Sequence, residues 1–175
     1  FLMDLIDGRL DSFIQKLRRY LLQCTSVKDF KNESHYHTFV LGAFLGIHAT
    51  HDVHSNKESG LGFMDMVLVP RDTQATQAIL FEFKHVPTDS KTRKDLKQLS
   101  KHARAAVITG LKQIHLRGYD QFLAHYPAVQ QVVKIGVAFA NRWVSAGSIT
   151  TSVRSDGALV QDTFQKKEIT FYEGS

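Results

Sequence analysis

Apolar residues recur at helical spacing from the start of the chain. Leu2, Ile6, Leu10, Phe13, Leu17 and Leu21 stand three or four apart, which predicts one helix over 2–22. Residues 25–32 are polar and read as a connection. A second helix is expected over 33–47, apolar enough to be largely buried, with Asn32 as its N-cap. Positions 50–55 are weakly strand-like, and Lys57-Glu58-Ser59-Gly60 carries a turn signal. Two apolar strands follow, Gly60 to Val69 and Ala78 to Lys84, joined by the polar stretch 71–77. After a loop over 87–92, a long helix is expected over 94–118, its core stripe Leu96, Leu99, Ala103, Ala106, Val107 and Ile114. A short helical piece over 119–126 ends at Pro127. Val132 to Ala140 reads as a strand buried on both faces, 143–153 as a further strand, and 164–172 as a last strand or a tail. Helices, strands, a helix and more strands, in that order, predict an α/β domain with a mixed central β-sheet flanked by helices.

Charge falls where this pattern has no room for it. Strand side chains alternate faces, so Ile79, Phe81 and Phe83 share one face while Leu80, Glu82 and Lys84 share the other. Asp65 interrupts a segment that is otherwise apolar on both faces. Charges are almost never buried unless paired or bound to a metal. Two carboxylates and a lysine at the ends of neighbouring strands suggest a divalent-cation site for phosphodiester chemistry. Ordinary readings stand beside this one: a same-face ion pair for Glu82 and Lys84, and a strand start after a Gly-rich turn for Asp65.

Composition narrows the classes without choosing among them. A length of 175 residues with 43% hydrophobic content suits one domain, 1–175, and argues against disorder. No segment approaches the ~18 uninterrupted apolar residues of a membrane span. The lone Cys24 excludes an internal disulfide and fits the cytoplasm or another reducing intracellular compartment. Because the first residue is Phe, the expectation is a piece of a longer protein with flanking domains. Lys+Arg of 22 against Asp+Glu of 17 gives +5, compatible with a polyanionic partner. Lys94, Lys97, Lys101 and Arg104 line one side of the long helix, where they are either a solvated face or contacts for a phosphate backbone. His48, His51 and His54 have helical spacing in a segment that looks extended and has no cysteine nearby, so a zinc site is not expected there. His35 and His37, two apart on a helix, do not share a face, and packing is expected of them.

The ordered set Glu33-Ser34-His35-Tyr36-His37, Ser55 to Gly62-Phe63-Met64-Asp65, Phe81-Glu82-Phe83-Lys84, Gln113-Ile114 and Tyr119 resembles the PD-(D/E)xK nuclease superfamily. Within it, the chain looks like the subfamily often fused behind an AAA-ATPase-like domain. The likeness covers roughly residues 2–143, with 1–24 as a leading helix, 33–143 as the core and 144–175 as C-terminal strands or a tail. It implies a restriction-endonuclease-like core and a nuclease that uses Mg²⁺ or Mn²⁺. Asp65 and Glu82 would hold the ion, Glu33 would reach in from its helix, and the Phe83 carbonyl would be a further ligand. Lys84 would orient the attacking water, and Gln113 would hydrogen-bond near the site. DNA is the implied partner, contacted by the basic row and by Tyr119; RNA is left open. Asn56 and Phe63 depart from the subfamily, which usually has Glu and Arg there. The rival reading keeps the fold without the chemistry, as a module that binds nucleic acid or a partner protein inside a larger bacterial effector or toxin delivered into a host cell.

Overall fold

A computed structural model describes residues 1–26, 29–59, 61–89, 95–141, 143–153 and 164–173. Six strands form one sheet in the order β1 (His51–Ser59), β2 (Gly62–Pro70), β3 (Gln77–His85), β4 (Gln131–Ala140), β5 (Trp143–Ser152), β6 (Thr170–Glu173). All neighbours are antiparallel except β3 and β4, which run parallel over the whole length of β3. A parallel pair needs a crossover. Here the crossover carries α4 (Leu96–Leu116) and α5 (Asp120–Leu123).

The helices divide between the two faces. α1 (Leu2–Ile6), α2 (Leu10–Cys24) and α3 (Glu33–Phe44) pack on one face against Met66, Leu68, Ile79, Phe81, Phe83, Ile135 and Phe139. α4 and α5 cover the other, against Val67, Val69, Ala78, Leu80, Val132 and Ala138. Sandwiched this way, β3 and β4 are largely apolar on both faces, as strands buried between helical layers are, with Glu82 and Lys134 as buried charged exceptions. The expected alternation on β3 holds: Ile79, Phe81 and Phe83 join one core and Leu80 the other.

Several boundaries differ from expectation. The stripe over 2–22 belongs to two helices, because Gly8 adopts φ +74 and turns the chain between them. The helix over 33–47 is α-helical only to Phe44 and closes with a 3₁₀ turn, Leu45–Ile47. Asn32 caps it as expected, its Oδ1 accepting from the His35 N–H at 3.2 Å. The turn expected at 57–60 lies later, since β1 continues to Ser59. Leu96, placed in the core stripe of α4, is 61% exposed: it is the helix's first residue, and burial begins a turn later at Leu99. The short helix is confined to 120–123 and the last strand to 170–173.

One irregularity positions the site. β2 and β3 are paired only at Met66–Phe81, Val67–Leu80 and Leu68–Ile79. The next pair in that register would set Asp65 opposite Glu82, and the ladder stops there. Like charges directly across a strand pair repel. The alternation of β2 also breaks at this point: Met64 packs in the α4-side core, whereas Met66 packs in the other. On β1, Asn56 lies between the pairs Ser55–Met66 and Lys57–Met64, hence opposite Asp65, with a left-handed φ of 49.

Candidate active site

Where β2 and β3 part, their freed backbone groups take side-chain partners. The Phe83 N–H, released from the ladder, donates to Asp65 Oδ2 at 2.7 Å. Glu82 is 0% exposed and rests its methylenes against Gly110 of α4. Its Oε1 accepts from Lys84 Nζ at 2.9 Å, while Oε2 is buried with no hydrogen-bond partner. Lys84 Nζ also donates to the Phe83 carbonyl at 2.8 Å and stands 3.5 Å from Glu33 Oε1. Glu33 opens α3, and its Oε2 accepts from the His85 N–H at 3.2 Å. An acid in the first turn also suits the helix dipole. Asp65 from β2, Glu82 and Lys84 from β3 and Glu33 from α3 thus gather where the two strands part.

The electrostatics follow from this crowding. Burial, and then the nearby Asp65 charge, push the Glu82 carboxyl up to about 7 against the pull of Lys84. Burial raises Asp65 as well, with the Phe83 N–H and Lys84 holding it back. For Lys84, burial acts downward but the surrounding carboxylates, Glu82 foremost, outweigh it and raise the pKa. The lysine is therefore an ammonium at neutral pH.

A model of the PD-(D/E)XK nuclease superfamily matches residues 31–147, more than half of the chain and all of the site residues just described. The chain belongs to the PD-(D/E)XK nuclease superfamily. Searches of curated proteins and of solved structures returned no match. The six-stranded mixed sheet between helical layers is consistent with the restriction-endonuclease-like fold of this superfamily.

Nucleases of this superfamily generally use divalent metals. Among the described residues, no three His, Cys, Asp or Glu side chains converge closely enough to hold an ion. Two carboxylates, Asp65 and Glu82, do lie where the β2–β3 ladder stops, and one buried oxygen, Glu82 Oε2, lacks a partner. Hard oxygen donors of this kind suit Mg²⁺ or Mn²⁺, which are usually held by one or two carboxylates while keeping several waters. The residues present fit such an ion.

The structure gathers Asp65, Glu82, Lys84 and Glu33 at one place. The Phe83 carbonyl, expected as a ligand, is engaged by the Lys84 ammonium, and it is the N–H of that residue that meets Asp65. Gln113 acts on the Tyr119 hydroxyl, opposing the rise in pKa that burial gives it. Tyr119, expected on a nucleic-acid surface, is 1% exposed, and its hydroxyl donates to the Phe63 carbonyl at 2.6 Å. It braces the approach to Asp65 from below the surface. Of the basic row, Lys94 lies outside the described residues, and Lys97 and Lys101 are exposed. Arg104 is ion-paired to Glu173 at 2.7 Å and lies over the Phe171 ring, 5.1 Å from its centroid. At 100° per residue, this row and the Gln113–Arg117 side fall on opposite flanks of α4.

Two residues at the site were not expected to act there: His37, assigned to packing, and Arg117, which carried no signal. His37 packs beside Phe83, ring centroids 5.6 Å apart, with Nε2 3.0 Å from Ser55 Oγ. Arg117 caps α4 next to the hairpin that leads into Asp65. Its hydrogen bond to Tyr119 and the charges of Glu82 and Asp65 raise its pKa. The zinc reading gains no support, since His51 and His54 sit three apart on a strand and so face opposite ways.

Proposed function

We propose that the chain is a divalent-metal-dependent nuclease that hydrolyses phosphodiester bonds, with DNA as substrate. The observation that supports it most is the placement of Asp65 and Glu82 at the point where the β2–β3 ladder stops, with Glu82 Oε2 buried and unpartnered and the Lys84 ammonium alongside. A buried carboxylate with a second, half-buried one nearby is costly by itself and is offset by a cation.

Asp65 and Glu82 would hold Mg²⁺ or Mn²⁺. When bound, the ion supplies Lewis acidity at the phosphoryl oxygen and a water of lowered pKa. Lys84 arrives already protonated, so its part is to donate a hydrogen bond to the attacking water and to oppose charge building on the phosphate, not to accept a proton. Glu33, at 3.5 Å, fixes the ammonium from the α3 side. Lys97 and Lys101, which form no ion pair among the described residues, are the positions of the basic row left to meet a long polyanion.

The test is cleavage of linear, circular and single-stranded DNA and of RNA. Mg²⁺ or Mn²⁺ should support cutting of DNA; EDTA should abolish it; Ca²⁺, larger and looser in geometry, should support little. Undiminished cutting in EDTA removes the metal mechanism. The absence of a three-ligand cluster among the described residues favours one other reading, a retained fold that binds without cutting. That reading takes over if folded, metal-supplied protein cuts none of the four substrates.

A further inference from the structure

Arg117 is held by four separate contacts at the end of α4, beside the hairpin that leads into the site. As the C-cap of α4 it has φ −89 and ψ −2, with its N–H bonded to the Gln113 carbonyl at 3.1 Å. Its carbonyl accepts from the Leu61 N–H at 2.9 Å, sewing the helix end to the tip of the β1–β2 hairpin. Its side chain runs across Gly62: a Cβ there would come within 2.9 Å of Cδ and 3.0 Å of Nη1. Nη1 in turn stands 3.4 Å from the Tyr119 hydroxyl. This backbone and side-chain packing holds a guanidinium beside Gly62, on the strand that leads into Asp65.

The direction of the side chain matters. Helical side chains lean toward the helix N-terminus. Gly110, against which Glu82 rests, lies on the same side of α4, about two turns back. The Arg117 guanidinium lies beside Gly62 and the Tyr119 hydroxyl, within reach of the charges of Glu82 and Asp65. Among the described residues, no carboxylate lies within 4.0 Å of its guanidinium, so neither Glu82 nor Asp65 is its ion-pair partner. Lys84, by contrast, is ion-paired with Glu82 and Glu33 and hydrogen-bonded to Glu82 and the Phe83 carbonyl, which leaves one of its three N–H donors for a water. The carboxylate pair thus has one cation bound to it on the α3 side and a second standing off on the α4 side.

We propose that Arg117 receives a non-bridging oxygen of the phosphodiester at the Asp65–Glu82 site, acting as a phosphate-binding and charge-stabilising catalytic residue. This rests on the nuclease reading above. A planar guanidinium held without a resident carboxylate suits a phosphate, whose oxygens it meets with two parallel N–H donors. The group supplies a second positive charge, from the end of α4, beside the one that Lys84 holds on β3.

The experiment is single-turnover cleavage of a DNA oligonucleotide by the wild type, Arg117→Gln and Arg117→Lys in saturating Mn²⁺. Mn²⁺ affinity by calorimetry and thermal unfolding are measured alongside. Arg117→Gln should slow cleavage by about 10²-fold, the size of effect that removing one preorganised donor has. Its Mn²⁺ affinity and unfolding should remain near those of the wild type. Arg117→Lys should recover only part of the rate. A second substrate carries one neutral methylphosphonate at the cleaved position. On the diastereomer whose methyl replaces the oxygen that Arg117 meets, the wild type and Arg117→Gln should differ by less than about threefold, because that acceptor is gone. Equal rates for wild type and Arg117→Gln on ordinary DNA overturn the proposal while leaving the nuclease reading intact. So does a Mn²⁺ affinity or unfolding temperature that falls with the rate, since Arg117 is then a brace. So does an undiminished Arg117→Gln effect on both methylphosphonate diastereomers. A wild type that cuts no DNA overturns the nuclease reading itself, and this proposal with it.

Discussion

Two carboxylates set opposite each other on antiparallel strands repel, and at Asp65 and Glu82 the strands yield. The ladder ends, Asp65 turns to the Phe83 N–H, and Glu82 keeps Lys84 on one oxygen and nothing on the other. Asp65→Asn and Glu82→Gln should each cut the single-turnover cleavage rate by at least about 10²-fold while circular dichroism shows a retained fold. Wild-type rates in either folded variant would make the pair purely structural. Lys84→Ala should lower the rate by a similar ~10²-fold, yet change Mn²⁺ affinity far less, because both carboxylates remain. Lys84→Arg should not restore it, since a planar fork does not replace a compact ammonium between Glu82 and Glu33. Proportional losses of binding and rate in Lys84→Ala would mark a docking residue. At this scale the sequence was informative where a charge broke an apolar strand, as at Asp65, Glu82 and Lys84. Glu33 was visible only through the family resemblance, since an acid at a helix start has an ordinary explanation. His37 stood in the motif of the resemblance but read as a packing residue, and Arg117 was not visible: it reaches the site through a tertiary crossing and reads locally as an ordinary helical residue.

Among the elements, the β1–β2 hairpin and the end of α4 act together. The Leu61 N–H to Arg117 carbonyl bond and the Tyr119 hydroxyl to Phe63 carbonyl bond hold the hairpin tip against the helix. Gly62 leaves the space through which the Arg117 side chain passes. The atoms that an added Cβ would meet belong to the far end of a flexible side chain, so the arginine can swing aside at small cost. Gly62→Ala should therefore alter stability by under about 1 kcal/mol and still lower the cleavage rate by displacing Arg117. Stability is read by chemical denaturation and the rate by single turnover. A folded Gly62→Ala with full activity would separate the hairpin from the chemistry. Element type and order were legible because the apolar periods of two and 3.6 are strong in β2, β3, β4 and α4. Element limits were less so. The stripe from Leu2 to Leu21 continues across Gly8 because both helices bury the same side, and only the backbone at Gly8 ends the first. β1 runs through a polar stretch since it is an edge strand with exposed residues at Asn56, Lys57 and Glu58. Polarity there says nothing about its hydrogen bonds.

For the molecule as a whole, the sheet order was not readable, because the parallel contact of β3 with β4 spans the entire α4–α5 crossover. That contact buries Glu82 between two helical layers, and burial makes pH a control on both stability and metal binding. The Glu82 carboxyl rises from 4.5 to about 7 on folding, chiefly by burial. A raised pKa means the folded state holds the proton longer, so this group's contribution to stability is greatest below pH 4.5 and declines as pH rises to about 7. The span corresponds to a loss on the order of 3 kcal/mol in the metal-free protein. Asp65, also raised by burial, acts with the same sign. His51, His54, His85 and His115 are lowered by burial and act oppositely, adding stability as pH rises toward 6.5. Asp4, paired with Lys16 and lowered, loses its contribution only below pH 3.8, outside this window. The informative quantity is therefore the difference between wild type and Glu82→Gln, measured by urea unfolding in EDTA. It should fall between pH 4.5 and about 7 and level off above. Metal must displace the same proton, so Mn²⁺ affinity should rise up to about tenfold per pH unit below that point and then flatten. Glu82→Gln should remove this dependence along with most of the affinity. A stability difference that does not vary with pH, or Mn²⁺ binding equally tight at about pH 5.5 and about pH 8, would mean that Glu82 is ionised throughout. Its unpartnered oxygen would then be met by something other than a cation.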